Sequence, residues 1–337
     1  MEFRTQVAIP EPPFHIEPCE EILFVGSCFA DAIGQRFRDE AFPVTVNPYG
    51  VMYNPASILH TLQRLAALGS VASAAGGSAS SGFPAGSASA VSPRIAFLTL
   101  GTNHVYRLKA TGEIVDNCEK RPAALFQEEV LSVDQCADYL RQSVDLLRSL
   151  NPDIHIVLTV SPIRYRKYGY HESQLSKATL LLAIEKILNC QLSIVNYQLI
   201  YFPAYELILD ELRDYRFYAP DMLHPSAQAV DYIWERLVDS YFSPAAKDYL
   251  AEWRPLRQAL AHKPFNADSP EYRAFHEQTQ QRLAAFRQKY PASAVSGFPA
   301  DAAAAVSSAP AAAGFPVGSA AVSSAPAVSG FPADSQS

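Results

Sequence analysis

No stretch of this chain stays apolar long enough to cross a bilayer. The longest run, around Ile154 to Val160, falls far short of the roughly 20 residues a spanning helix needs. Positive charge is also scarce: 27 Lys and Arg stand against 34 Asp and Glu, a net charge of −7. That balance argues against a nucleic-acid groove and against a polybasic membrane anchor. The first twenty residues hold four prolines and no apolar core, so they do not read as a secretory signal, and a cytoplasmic location is expected. The five cysteines (Cys19, Cys28, Cys118, Cys136 and Cys190) are odd in number and form no Cys-x-x-Cys pair. A reducing compartment fits that usage, with Cys19, Cys136 and Cys190 as small buried hydrophobes.

Charge is missing altogether from residues 70–93, and residues 292–337 carry only Asp301 and Asp334. Both stretches are built from Ala, Ser, Gly, Pro and Val. They share one unit, Gly-Phe-Pro-Ala, at 82–85, 297–300 and 330–333, with Gly-Phe-Pro-Val at 314–317. Too few large apolar side chains are present to offset an ordering entropy of roughly 1–2 kcal/mol per residue. The reading is one domain over residues 1–291 with a low-complexity loop insertion at 70–93, followed by a disordered low-complexity tail at 292–337.

Between these stretches, short β-rich runs alternate with helical patterns. Glu21–Val25, Arg94–Leu100, Ile154–Val160 and Leu192–Val195 are unbroken apolar runs of the kind found in a parallel sheet covered on both faces. Asn54-Pro55 supplies a cap and a first-turn proline for a helix. Ser132 with Gln135 forms a capping box, and Ser243-Pro244 and Ser269-Pro270 open two C-terminal helices read as packing or as a dimer surface. Alternation of this kind predicts a three-layer α/β/α, flavodoxin-like parallel sheet, with ligands at the carboxyl ends of its strands.

The loops at those ends carry the chemistry. Gly26-Ser27-Cys28 closes the first strand and opens a helix, where unpaired N–H groups favour a thiolate or an oxyanion. A tight glycine turn with a cap serine and a buried cysteine accounts for the same residues. Gly50 would let backbone approach a substrate, though a plain turn explains it equally well. In Gly101-Thr102-Asn103-His104 the Asn103 amide is placed to donate to an oxyanion, and His104 reads as a polar loop residue. Asp221-Met222-Leu223-His224 spaces a carboxylate so that it reaches Nδ1 of the imidazole, leaving Nε2 free to take a proton. Arg164-Tyr165-Arg166-Lys167 would suit an anionic acyl carrier or sugar acid, or is simply a solvated loop.

Taken together, a nucleophile turn, then Gly, then Gly-x-Asn, then Asp-x-x-His resembles the four sequence blocks of SGNH (GDSL-like) hydrolases. Gly26 to Ala30 spells the signature of the GSCFA family within that group. FVGSCFA, NPYGVMYNP, TLGTNHVY, TVSPIRY, SKATLLLAI and FPAYELILDELRDYRFYAPDMLHPS are all similar to that family over nearly all of residues 8–245. The resemblance implies Cys28, or Ser27 shifted by one, as nucleophile, His224 as base and Asp221 as its partner. It also implies Gly50 and Asn103 as oxyanion donors. His104, where the related enzymes carry Asp, and Arg164 are read from the residues alone as candidate substrate contacts. Glu119 and Tyr165 stand where the family is expected to carry histidines.

The implied function is hydrolysis or transfer of an acyl ester, on a carbohydrate or small metabolite, with no metal and no organic cofactor. The other readings are a non-catalytic binding module and a metal hydrolase using Cys28, His104, His224 and Asp221. Expected partners are the small substrate, with no nucleic acid and no membrane, and a second copy of the chain through the C-terminal helices. Cys28 is favoured over Ser27, its thiol pKa drawn below the free value of roughly 8.5 by the helix N-terminus and the imidazolium.

Overall fold

The computed structural model describes residues 4–74, 93–118, 121–191, 198–266 and 269–297. The strands are β1 (Ile22–Gly26), β2 (Val44–Val46), β3 (Ile95–Leu100), β4 (His104–Leu108), β5 (Ile114–Val115), β6 (Phe126–Val130), β7 (His155–Val160) and β8 (Leu199–Tyr201). Among the described residues five of them form a parallel sheet in the order β2-β1-β3-β7-β8. The remaining three form a small antiparallel sheet, β5-β4-β6.

Every residue of β1 and β3 is buried, as an unbroken apolar strand between two helical layers requires. The pleat divides these side chains between two cores. Phe24 and Phe97 stack on one face at 4.6 Å, against Phe37, while Leu23, Val25, Ala96 and Leu98 fill the other.

The helices are α1 (Cys28–Asp39), α2 (Pro55–Ala74), α3 (Val133–Leu150), α4 (Gly169–Gln191), the single turn α5 (Ala204–Glu206), α6 (Ala227–Tyr241), α7 (Pro244–Leu260) and α8 (Pro270–Lys289). The Phe24 face is covered by α1, α6, α7 and α8, and the opposite face by α2, α3 and α4. The expected three-layer α/β/α architecture is therefore present. So are its punctuation marks. Asn54 Oδ1 accepts from the Ser57 N–H at 2.9 Å. Both bonds of the Ser132–Gln135 capping box form, and Ser226, Ser243 and Ser269 cap the last three helices. No described helix is long and apolar enough to cross a membrane.

Several expectations need correction. Helix α2 continues through residues 70–74, the start of the presumed insertion, and residues 75–92 lie outside the described residues. The chain stays packed beyond residue 291. Val295 is fully buried, and the Ala294 N–H donates to the Ala41 carbonyl at 2.9 Å. The tail boundary therefore moves from 292 to 298, and residues 298–337 lie outside the described residues. The strand expected at Leu192–Val195 also falls outside them; the edge strand is Leu199–Tyr201.

The C-terminal helices pack on the body of the domain. Trp253 is fully buried and donates to the Asp39 carbonyl at 2.8 Å, and buried Glu40 accepts from Arg254 and Arg257 at 3.2 and 3.4 Å. The strand order reverses direction between β1 and β3, and open sheets of this order place their ligand crevice at that switch point.

Candidate active site

β1 ends at Gly26, whose φ of +151° is open only to glycine. A Cβ there would lie 2.2 Å from the Thr99 carbonyl oxygen of β3. The chain then turns at once into α1. Ser27 is the N-cap: its buried hydroxyl accepts from the Phe29 N–H at 3.3 Å and lies 3.3 Å from Thr99 Oγ1. Its own N–H donates to Thr99 Oγ1 at 3.0 Å. Those bonds give Ser27 the cap role and hold its hydroxyl against Thr99, while the residue still lines the cavity that holds Cys28.

Cys28 is the first helical residue, and its sulfur sits 3.4 Å from Nε2 of His224. The imidazole is fixed from behind. Asp221 Oδ2 is 2.5 Å from Nδ1, and Asp221 Oδ1 accepts from the N–H groups of Leu223 and His224 at 2.8 and 3.0 Å. Three-residue spacing in a tight turn is what allows one carboxylate to make all of these contacts. Burial pushes the Asp221 carboxyl up, but the His224 and Leu223 N–H groups and the imidazole outweigh it and hold the carboxyl below its usual range. An Nδ1–H directed at Asp221 leaves Nε2 as an acceptor for the thiol proton.

The thiol departs from expectation. Burial, reinforced by the Asp31 carboxylate, pushes its pKa up to about 11; its own N–H, Lys177 and the Tyr53 hydroxyl pull the other way and lose. The resting pair is therefore a neutral thiol beside an imidazole, not the thiolate expected at a helix N-terminus. Deprotonation must accompany attack.

Tyr53 and Lys177 were not singled out by sequence reasoning. The Tyr53 carbonyl accepts from the N–H groups of Gly101 and Thr102, both at 2.8 Å, which folds the loop after β2 onto the loop after β3. Its side chain lines the same cavity as Cys28, and burial raises the phenol pKa so that it stays protonated. Lys177 of α4 is 2% exposed and donates to the carbonyls of Gly101 and Ser161 at 2.6 and 2.7 Å. No carboxylate pairs with it among the described residues. Burial pushes its pKa down to about 7. A signal existed in the sequence: Ser173, Lys177, Leu180 and Ile184 fall on one helical stripe, and all four are buried.

Other expected roles are not supported by placement. The Gly50 N–H is already bonded to the Asn47 carbonyl at 2.8 Å, in a left-handed turn (φ +91°) that faces solvent. The Asn103 amide nitrogen donates to the Leu131 carbonyl at 2.7 Å, and the residue is buried. Neither Gly50 nor Asn103 lines the cavity that holds Cys28, whereas Tyr53 does.

His104 is also displaced, bonded to Glu128 at 3.0 Å and stacked on Tyr168 at 3.7 Å. Arg164 does line the cavity. It donates to the Met222 carbonyl at 3.2 Å and lies against Tyr170 and Tyr218, bracing the turn that presents His224. Tyr165 is at the cavity too, where a histidine was expected, and Glu119 lies outside the described residues. With His104 on Glu128, the four residues of the metal reading do not converge, and no group of three or more His, Cys, Asp or Glu among the described residues is placed to hold a metal.

The GSCFA family model matches residues 21–75 and 83–237, and the model of the GSCFA domain protein, C-terminal domain, matches 253–297. No curated protein matches the chain. Several crystal structures are similar at low identity. A GDSL-like lipase from Bacteroides thetaiotaomicron is 13% identical, over 65% of this chain and 86% of that one, with a TM-score of 0.37. A member of the lipolytic G-D-S-L family from Veillonella parvula is 12% identical, over 66% and 97%, with a TM-score of 0.38. A carbohydrate esterase of family 3 from Talaromyces cellulolyticus is 9% identical, over 69% and 99%, with a TM-score of 0.37.

Proposed function

For a chain that belongs to the GSCFA family, we propose cleavage or transfer of an acyl group held as an ester, on a carbohydrate or small metabolite, with Cys28 as the attacking atom. One observation carries the reading: the unbroken relay from Cys28 sulfur to His224 Nε2 at 3.4 Å and from Nδ1 to Asp221 at 2.5 Å. Sulfur forms a bond to the acyl carbon as its proton passes to Nε2, and the carbonyl π pair moves onto oxygen. Asp221 holds the tautomer and stabilises the imidazolium. We assign the Tyr53 hydroxyl, which lines the cavity, and the first N–H of α1, at Cys28, as donors to the developing oxyanion. Collapse expels the alcohol, which takes the proton back from Nε2. Water then attacks the thioester in hydrolysis, or an acceptor hydroxyl does so in transfer, each giving its proton to His224. The C–S bond breaks and the Cys28 sulfur takes that proton back from Nε2.

Short-chain p-nitrophenyl esters and thioesters assayed on wild type, His224→Ala and Cys28→Ala test this reading. Turnover lost in both variants is the expected result, and equal turnover in all three would remove Cys28 and His224 from the chemistry. A second reading, a binding pocket without turnover, draws on the raised thiol pKa and on the Asn103 amide already bonded to Leu131. It requires that no acyl-enzyme mass appears at Cys28 with any acyl donor in the panel.

A further inference from the structure

The cavity above Cys28 has a volume of about 260 Å³. Its cationic lining is Arg164, Arg166 and Lys167, and no carboxylate lines it. On a chain of net charge −7, a mouth of that composition is a local reversal of sign. Two of its cations are already engaged. Arg164 is bonded to the Met222 carbonyl and packed on two tyrosine rings. Lys167 bonds the Tyr106 hydroxyl and lies 3.6 Å from Glu128. Arg166 is exposed, at the start of the single 3₁₀ turn Arg166–Tyr168, and its guanidinium makes no ion pair and no hydrogen bond with any described residue.

We propose that Arg166 binds an anionic group, carboxylate or phosphate, on the substrate whose acyl carbon Cys28 attacks; this rests on the reading of Cys28 as nucleophile. The shape of the site supports the pairing. Arg166 and Cys28 line one cavity of modest size, so a small substrate bound there meets both. A guanidinium offers a planar pair of N–H donors that fits either oxyanion.

Alkylation of Cys28 by iodoacetate and by iodoacetamide tests the anion site without needing turnover. Both reagents form the same S–C bond as iodide leaves with the C–I electron pair, and they differ in one negative charge. With N-acetylcysteine as the reference thiol, the iodoacetate-to-iodoacetamide rate ratio at Cys28 should be raised about tenfold, the size of one charge-assisted hydrogen bond. Arg166→Gln should return it to the reference, and Arg166→Lys should keep part of it. A wild-type ratio equal to the reference, or one that Arg166→Gln leaves unchanged, overturns the proposal.

Three thioesters then locate the charge: acetyl and succinyl N-acetylcysteamine, and acetyl-coenzyme A. An Arg166-dependent gain in kcat/KM for the succinyl compound puts the anion on the acyl half, and for coenzyme A on the leaving half. Turnover that shows neither gain overturns the proposal. Thioesters that are all inert while the iodoacetate preference holds would refute the catalytic reading and leave the anion site standing.

Discussion

Lys177→Met should abolish a specific piece of the pH dependence of stability. Lys177 is buried with two carbonyl partners and no carboxylate among the described residues, and its pKa falls from 10.5 to about 7 on folding. Between those two values the unfolded chain binds one more proton than the folded one. Stability therefore rises with pH across that window, and below pH 7 the full penalty of a buried charge is present. Each unit is worth about 1.36 kcal/mol, so wild type should gain about 2 kcal/mol between pH 7 and 8.5.

The window must stop there. The partly buried thiols of Cys19 and Cys28, pushed up to about 11, and the buried thiol of Cys136, pushed up to about 12, contribute the opposite slope once the unfolded thiols ionise near pH 9. In Lys177→Met the rise should vanish. At pH 7 the lost carbonyl partners, about 1–3 kcal/mol each, oppose the removed burial penalty, so the variant stays close to wild type there. Urea denaturation of both proteins at pH 7.0 and 8.5 reads the difference directly. A wild-type gain that persists undiminished in Lys177→Met would refute the assignment of this titration to Lys177.

Three further outcomes are expected. Tyr53→Phe should lower turnover about 10²–10³-fold with little change in KM, as loss of an oxyanion donor does, whereas Asn103→Ala should lower the melting temperature more than kcat. If Tyr53→Phe turns over normally, the donor lies elsewhere. Iodoacetamide labelling of Cys28 should keep accelerating above pH 9, where an ordinary thiol levels off, because its pKa is pushed up to about 11; a plateau below pH 8 would contradict that burial effect. Truncation after Gly297 should leave the melting temperature unchanged. Truncation after Pro291 should lower it, since burying a valine such as Val295 is worth about 1.5–3 kcal/mol, and thermal melts of the two would show equal values if Val295 contributes nothing.

The parts of this molecule that local chemistry controls were legible in its sequence. β1, β3 and β7 are apolar runs long enough to stand out, and Ser132–Gln135 is complete within four residues. Asp221 reaches His224 because both lie on one turn. The meeting of Cys28 with His224, 196 positions apart, was readable only through the resemblance to a known order of blocks.

What stayed illegible depends on how separate loops fold on each other. Tyr53 enters the site because its carbonyl is clasped by Gly101 and Thr102, and nothing near residue 53 foretells that contact. Asn103 looks like a free donor until the Leu131 carbonyl, 28 residues on, is placed beside it. The small sheet of β4, β5 and β6 follows the Asn103 turn directly, and its alternating polar residues concealed it.

The polarity of the central sheet separates the Cys28–His224 pocket from the points where the low-complexity segments attach. Cys28 and Gly101 lie just beyond the carboxyl ends of β1 and β3. The segment from 75 to 92 joins the end of α2 to the start of β3 and so attaches at the opposite edge. The last described residues do the same, with Ala294 bonded to Ala41 just past the far end of α1. Both attachment points for the Gly-Phe-Pro-Ala units thus lie away from the turn that carries Cys28. The same two points are where a fluorophore, a surface tether or a purification handle would leave the pocket open to its substrate.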